Sequence, residues 1–321
     1  MSILYTFRSG KNNKALYFVK SYLQLLIPNF IYRRQLEKKL REIERRGDKA
    51  YIEDRVDYYN KMSEPTTLPE IAESLGQQKM GRWKVYYFDT RVITRWFDSC
   101  LKWMHIPGDV NYVPEYPSVV KSRPIDGDNR NGVLLKLNHI RHFIFVEDTK
   151  KFCEKKDLVI FRGKVKGKEQ RVRFMEMYFG NKRCDLGDTS RNYDEHKEWK
   201  VEKMTIDKQL EYRYILAIEG VDVASNLKWI MSSNSIAVMP KPTCETWFME
   251  GRLIAGKHYI EIKSDFSDLE EKLDYYTSHT DEAEEIIANA HEYVEQFKDK
   301  DREELIGLMV MDKYFRMTGQ R

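Results

Sequence analysis

Five short apolar runs, Leu158–Phe161, Arg183–Leu186, Tyr214–Ile218, Ile236–Met239 and Tyr259–Ile262, punctuate the second half of this chain. Turn residues bound each run. Helix-length segments separate them: Glu169–Phe179, Asp207–Tyr212, Ala224–Met231 and Cys244–Glu250. A strand that reads as a continuous apolar run is buried on both faces. Such strands alternating with helices predict a parallel sheet covered on both sides, a Rossmann-like α/β layer. Amphipathic helices are expected to follow at Asp268–Tyr276, Asp281–Lys298 and Arg302–Phe315.

The first half is less regular. Helices are expected at Ala15–Ile27, stopped by Pro28, at the charged stretch Gln35–Arg46 and at Tyr51–Met62. Trp83–Phe88 reads as a strand, Val92–Met104 as a helix and Asp109–Val113 as a short strand. After a loop over Pro114–Gly132 come a helix at Val133–Arg141 and a strand at His142–Val146. The pattern therefore predicts two Rossmann-like halves with extra helices at both ends.

Charge narrows the function. The net charge is +4, yet residues 1–46 alone hold 11 Lys/Arg and 3 Asp/Glu, a net of +8. The remaining chain is net −4, which is not the footprint of a nucleic-acid surface. The basic segment fits either a solvated helical surface or an anionic membrane surface. The start carries no charged n-region ahead of an apolar core, so no secretory leader is expected. No apolar run approaches the roughly 20 residues that span a bilayer. A cytoplasmic chain, peripheral on the inner face of a membrane, is the expectation. Cys100, Cys153, Cys184 and Cys244 are too dispersed for a disulfide framework or a zinc site.

Three motifs carry chemistry. Phe161-Arg162-Gly163 ends the first apolar run of the second half, where open α/β sheets place ligands. Lys164, Lys166, Lys168, Arg171 and Arg173 follow, and cations there can stabilise a departing diphosphate. Glu219 to Lys228 joins a strand to a helix; Gly220, Ser225, Asn226 and Lys228 offer a phosphate a close backbone approach and donors. In Thr243 to Gly251, Glu245 and Glu250 are candidates to accept hydrogen bonds from sugar or ribose hydroxyls. Each motif is also compatible with an ordinary surface loop. Asp126-Gly127-Asp128 resembles a metal-binding D-x-D but lacks the rest of a calcium loop, and a solvated turn is the expectation.

Together with Lys121 to Ile125, Arg141-His142-Phe143 and His258-Tyr259, these strings resemble glycosyltransferase family 90 over about Val113 to Phe297. The bacterial lipopolysaccharide-biosynthesis members are the nearest in kind; eukaryotic protein O-glucosyltransferases and capsule xylosyltransferases are relatives. The resemblance implies a GT-B fold, two Rossmann-like domains facing across a cleft. It also implies a UDP-sugar donor, an inverting mechanism and no required cofactor or metal. On that basis residues 1–150 form the acceptor-side domain, 151–300 the nucleotide-sugar domain, and 301–321 a helix packing back on the first. Arg162, Gly163 and Arg171 would flank the donor diphosphate, and the Gly220–Lys228 turn would complete the nucleotide site. Asn226 stands where eukaryotic members carry Arg, which leaves neutralisation to Lys228 or Arg171. Those members place a catalytic Asp in an Asp-Tyr-Pro string. The match here is Glu115-Tyr116-Pro117, with Asp109 the second choice as base.

The expected activity is transfer of a sugar to a hydroxyl of a lipopolysaccharide or other surface-glycan acceptor. Two alternatives stand beside it: a non-catalytic nucleotide-sugar-binding module, and a metal-dependent transferase using Asp126 and Asp128.

Overall fold

The computed structural model describes residues 10–191 and 195–321. The first nine residues of the basic 1–46 segment, on which the absence of a leader was read, lie outside the described residues. The chain is mixed α/β and divides into two compact units.

One unit comprises residues 140–242 and 251–296, with the described residues up to Asn13. The five expected apolar runs all become strands. They are β1 (Lys156–Gly163), β2 (Cys184–Asp188), β3 (Tyr212–Leu216), β4 (Ile236–Met239) and β5 (Ile260–Glu261). They form one sheet in the order β5-β4-β3-β1-β2, every pair parallel. Val159 and Phe161 of β1, Tyr214 and Leu216 of β3, and Ile236 and Val238 of β4 point into one core with Phe174, Met175 and Phe266. Ile160 and Ile215 are equally buried, so the sheet is covered on both faces, as continuous apolar strands require. The covering helices include α1 (Glu169–Tyr178), α2 (Leu227–Met231), α3 (Leu269–Ser278) and α4 (Thr280–Glu295).

The other unit comprises Lys14–His139, Thr243–Glu250 and Phe297–Arg321. Its centre is a small parallel sheet of His105–Ile106, Ser118–Val120 and Gly132–Leu134, with Ser118–Val120 in the middle. Ser122–Pro124 pairs antiparallel with Cys244–Thr246. The last helix, Lys300–Met317, buries Leu305, Ile306, Leu308, Val310, Met311 and Tyr314, and packs on the helices Lys49–Tyr59 and Lys84–Thr94. At its close approach to the latter, a Cβ on Gly307 would lie 2.9 Å from Ile93 Cδ1.

Several local expectations fail in this unit. Trp83–Phe88 opens the helix Lys84–Thr94 instead of forming a strand. Its buried positions Tyr86, Asp89, Thr90, Ile93 and Thr94 recur at helical spacing, which overrides the β preference of its aromatic residues. The strand expected at Asp109–Val113 is absent, and the pairing falls earlier, at His105–Ile106. Val133–Arg141 starts as the strand Gly132–Leu134 and is helical only from His139. His142–Val146 is not a strand, and Cys244–Glu250 holds a strand rather than a helix. The partition also departs from 1–150, 151–300 and 301–321. Residues 243–250 and everything from Phe297 onward belong with the first half of the chain.

His105 makes this unit acid-sensitive. The residue is half-buried and stacks on Trp103 at 4.8 Å, but its Nε2 is fully buried and finds no hydrogen-bond partner among the described residues. Burial disfavours the imidazolium and pushes the pKa down to about 4. The unfolded chain therefore takes up this proton near pH 6.5, before the folded chain does. Stability from this group is complete above pH 6.5, falls between 6.5 and 4, and then levels. The loss should approach roughly 3 kcal/mol. His105→Phe should flatten this part of a stability-versus-pH curve measured by urea unfolding; an unchanged curve would refute the assignment.

Candidate active site

The five-stranded sheet has its topological switch between β1 and β3: the chain leaves β1 for β2 toward one edge and leaves β3 for β4 toward the other. Ligands of open α/β sheets sit beyond the carboxyl ends of the strands at such a point. Phe161-Arg162-Gly163 ends β1 there, and Ala217 to Gly220 leaves β3 beside it.

Arg171, on α1, ties the two loops together. Its Nη1 donates to the Lys164 carbonyl at 3.0 Å, and its Nη2 to the Ile218 carbonyl at 2.7 Å. Its Nε reaches the carbonyl of Glu219 at 3.1 Å. Burial, with the Arg141 guanidinium nearby, pushes its pKa down to about 10, so it remains a cation at neutral pH. Gly220 lies against it: a Cβ there would sit 3.3 Å from Arg171 Nη2 and 3.8 Å from Lys168 Cδ. A side chain at this position would crowd the guanidinium.

Arg162 behaves differently from expectation. Its guanidinium forms an ion pair with Asp185 of β2 and also donates to the Asp185 and Phe161 carbonyls. Tyr212 donates to the same carboxylate. The side chain that was expected to flank a diphosphate is engaged across the sheet. Gly163 is explained by packing, since a Cβ would overlap the Phe161 ring at 2.6 Å.

The exposed cations stand on the next turn. Lys164 and Lys166 line a cavity of about 390 Å³ with Thr189, Ser190, Arg191 and Lys203. Buried Asp188, at the end of β2, shapes its wall. Its Oδ1 accepts from Val165 N at 2.8 Å, Ser190 N at 2.9 Å and Ser190 Oγ at 2.6 Å. Ser190 Oγ accepts in turn from Lys166 N at 3.1 Å. Four cations and two hydroxyl residues around one cavity favour a phosphorylated ligand. Sequence reasoning missed Asp188, Ser190, Arg191 and Lys203; the signal was Asp188-Thr189-Ser190, a side-chain-capped turn immediately after an apolar run.

The second motif is partly structural. Asn226 Nδ2 donates to the Leu216 carbonyl at 2.8 Å, bracing the turn on β3. Ser225 is half-buried at that turn, while Lys228 is fully buried, so the latter does not present its ammonium at the loop surface. Glu245 and Glu250 belong to the other unit. Glu245 accepts from Arg123 Nε at 2.8 Å and from the Tyr58 hydroxyl, and Glu250 accepts from Thr246 N at 2.6 Å. Both carboxylates are buried and bonded within their own unit, and in sequence they lie away from the loops that end β1 and β3.

In that other unit, the carboxyl end of the central sheet holds a carboxylate and a cation. Asp109 follows the strand His105–Ile106, and Lys121 follows Ser118–Val120. Lys121 is buried, and its Nζ donates to Asp109 Oδ1 at 2.5 Å, while a third of the Asp109 side chain stays accessible. Glu115 instead sits on an exposed bend; its carbonyl accepts from Asn131, and its carboxylate, paired with the Tyr116 hydroxyl, raises that phenol's pKa. Asp126 and Asp128 lie on an exposed turn at Gly127, where Asp128 pairs with Arg130 at 2.9 Å. Among the described residues no three His, Cys, Asp or Glu side chains gather as a metal site.

The family model of glycosyl transferase family 90 matches residues 137–316. O-glucosyltransferase LpsA of Dichelobacter nodosus is 42% identical over 272 residues, 83% of this chain and 83% of that protein. The chain belongs to glycosyltransferase family 90. As a family 90 member it is a glycosyltransferase, which sets aside the non-catalytic binding module. Its reaction requires a sugar donor and a glycan acceptor. The cation-lined loops of β1 and β2 fall within the matched region, whereas Asp109 and Lys121 lie ahead of it.

Proposed function

We propose that this glycosyltransferase moves glucose from UDP-glucose to a hydroxyl of a lipopolysaccharide glycan. Transfer would proceed with inversion and without a required metal. The observation that carries the donor reading is the basic cavity beyond the carboxyl ends of β1 and β2, lined by Lys164, Lys166, Arg191 and Lys203. The name of the 42% identical relative supports glucose and O-transfer. We read the two units as the pair of domains of a GT-B enzyme that acts in the cytoplasm, held at the inner face of a membrane by residues 1–46.

In the reaction Asp109 takes the proton of the acceptor hydroxyl as its oxygen bonds to the anomeric carbon. The bond from that carbon to the diphosphate oxygen breaks, and its electron pair leaves with UDP. The cations of the β1 loop stabilise the charge that accumulates there. Arg171 positions that loop through the carbonyls of Lys164, Ile218 and Glu219. Asp109 is preferred to Glu115 because it lies at the carboxyl end of a parallel strand and is oriented by buried Lys121.

A panel of nucleotides read by thermal shift tests the donor half. UDP and UDP-glucose should each raise the apparent melting temperature, because they bind the folded state alone. ADP and GDP should raise it much less. No shift with any nucleoside diphosphate in folded protein would overturn the proposal. Anomeric configuration of the product, read by NMR, tests inversion.

A further inference from the structure

The helix Lys14–Leu25 is apolar on two sides. Its inner side packs within its own unit: Tyr17 donates to Asp89 Oδ1 at 2.6 Å, Ser21 is buried, and Phe18 meets Phe88 edge-on at 6.0 Å. Arg95 donates to the carbonyls of Gln24 and Ile27, which pins the end of the helix. The outer side is a second stripe. Val19 and Leu23 lie on it, and Leu26 and Phe30 continue the exposed apolar surface past the helix end, through the turn at Pro28 into the short helix Asn29–Arg33. Each is more than half exposed, Leu26 at 77%. Of the nineteen exposed large apolar side chains among the described residues, eight fall between Leu16 and Ile31. Scattered exposed apolar residues need no explanation, but a continuous stripe does.

The charges around the stripe identify what covers it. Residues 10–36 contain no Asp or Glu. Lys20 lies beside the stripe on the helix, and Arg34 closes it beyond Phe30, with its guanidinium 5.2 Å from the Phe30 ring. An exposed apolar stripe with Lys20 and Arg34 beside it, in a segment that carries no carboxylate of its own, complements an interface that is apolar within and anionic at its surface. Among the described residues no helix is long and apolar enough to cross a membrane, so this element would lie in the interface.

We propose that the stripe Val19–Leu23–Leu26–Phe30 inserts into the acyl region of an anionic phospholipid bilayer, with Lys20 and Arg34 at headgroup level. This deepens the membrane part of the function proposed above and rests on it. It replaces attraction by charge alone with apolar insertion.

The test is co-sedimentation of the full chain with vesicles of phosphatidylcholine containing phosphatidylglycerol. Wild-type protein should bind, and part of the binding should persist at high salt, where attraction by charge alone is screened. The exposed double variant Leu23→Glu/Leu26→Glu should lower the bound-to-free ratio by at least about 10-fold. Lys20→Glu/Arg34→Glu should bind weakly at low salt as well. Circular dichroism and the UDP thermal shift, measured without vesicles, should match wild type in both variants. That readout separates failure here from failure of the donor proposal. Undiminished vesicle binding by the Leu23/Leu26 variant would overturn the inference. So would equal binding to pure phosphatidylcholine, or a wild-type dimer in sedimentation velocity that the variant abolishes, since a second copy would then cover the stripe.

Discussion

Asp109→Asn should lower the rate of glucosyl transfer by about 10²–10⁴-fold while leaving the UDP thermal shift unchanged. The amide keeps the size of the carboxylate and can still accept from Lys121 Nζ. It removes the charge that compensates that buried ammonium, so some loss of stability should accompany the loss of rate. The rate is therefore compared at a temperature where both proteins are folded. Lys121 is buried, so its ammonium is held where the charge on Asp109 compensates it, and the ion pair orients Asp109 while a third of its side chain stays accessible. Glu115→Gln should leave the rate within about threefold, because a carboxylate on an exposed bend, paired with the exposed Tyr116 hydroxyl, is not desolvated. Single-turnover transfer from UDP-glucose by both variants decides the matter. A dead Glu115 variant beside an active Asp109 variant would reverse the assignment.

The preference for Glu115 came from a three-residue string, and the choice turns on where a two-residue strand lies. His105–Ile106 is too short to leave a periodic signal, so Asp109 was read inside a strand and not just past the end of one. The same shortness hid Ser118–Val120 and Gly132–Leu134. The five-stranded sheet was legible for the opposite reason. Its strands are buried on both faces, and a run such as Ile236-Ala237-Val238-Met239 announces that directly. Side-chain partners distant in the chain were not legible at all. Arg162 looks like a phosphate ligand until Asp185, across the strand pair, claims it. Glu245 looks like a sugar ligand until Arg123 does, 122 residues earlier. What sequence conveyed was the position of the cationic loop; which of its cations stay exposed depended on the sheet register.

Glu303→Gln should destabilise the unit that contains Asp109 by about 3–5 kcal/mol. Glu303, on the last helix, is buried and compensates two cations: Oε1 accepts from Arg55 Nη1 at 2.5 Å, and Oε2 from Lys136 Nζ at 2.9 Å. Oε2 also accepts from Trp247 Nε1 at 2.6 Å. Arg55 is wholly buried and also donates to the Tyr59 and Tyr51 hydroxyls, so an amide at 303 takes away the carboxylate that compensates its charge. Tyr59 in turn stacks on Trp247 at 3.9 Å. One carboxylate therefore joins the helix Lys49–Tyr59, the stretch after Gly132–Leu134, the segment Thr243–Glu250 and the final helix. This explains why two late segments of the chain fold with the early ones. A drop of roughly 10 °C in melting temperature follows from a loss of that size in a unit of this length. Adding Arg55→Met removes the stranded charge and should recover part of the loss, giving a coupling above about 1 kcal/mol in a double-mutant cycle. Additive losses would show that Glu303 acts through Lys136 and Trp247 and that the Arg55 pair contributes nothing of its own.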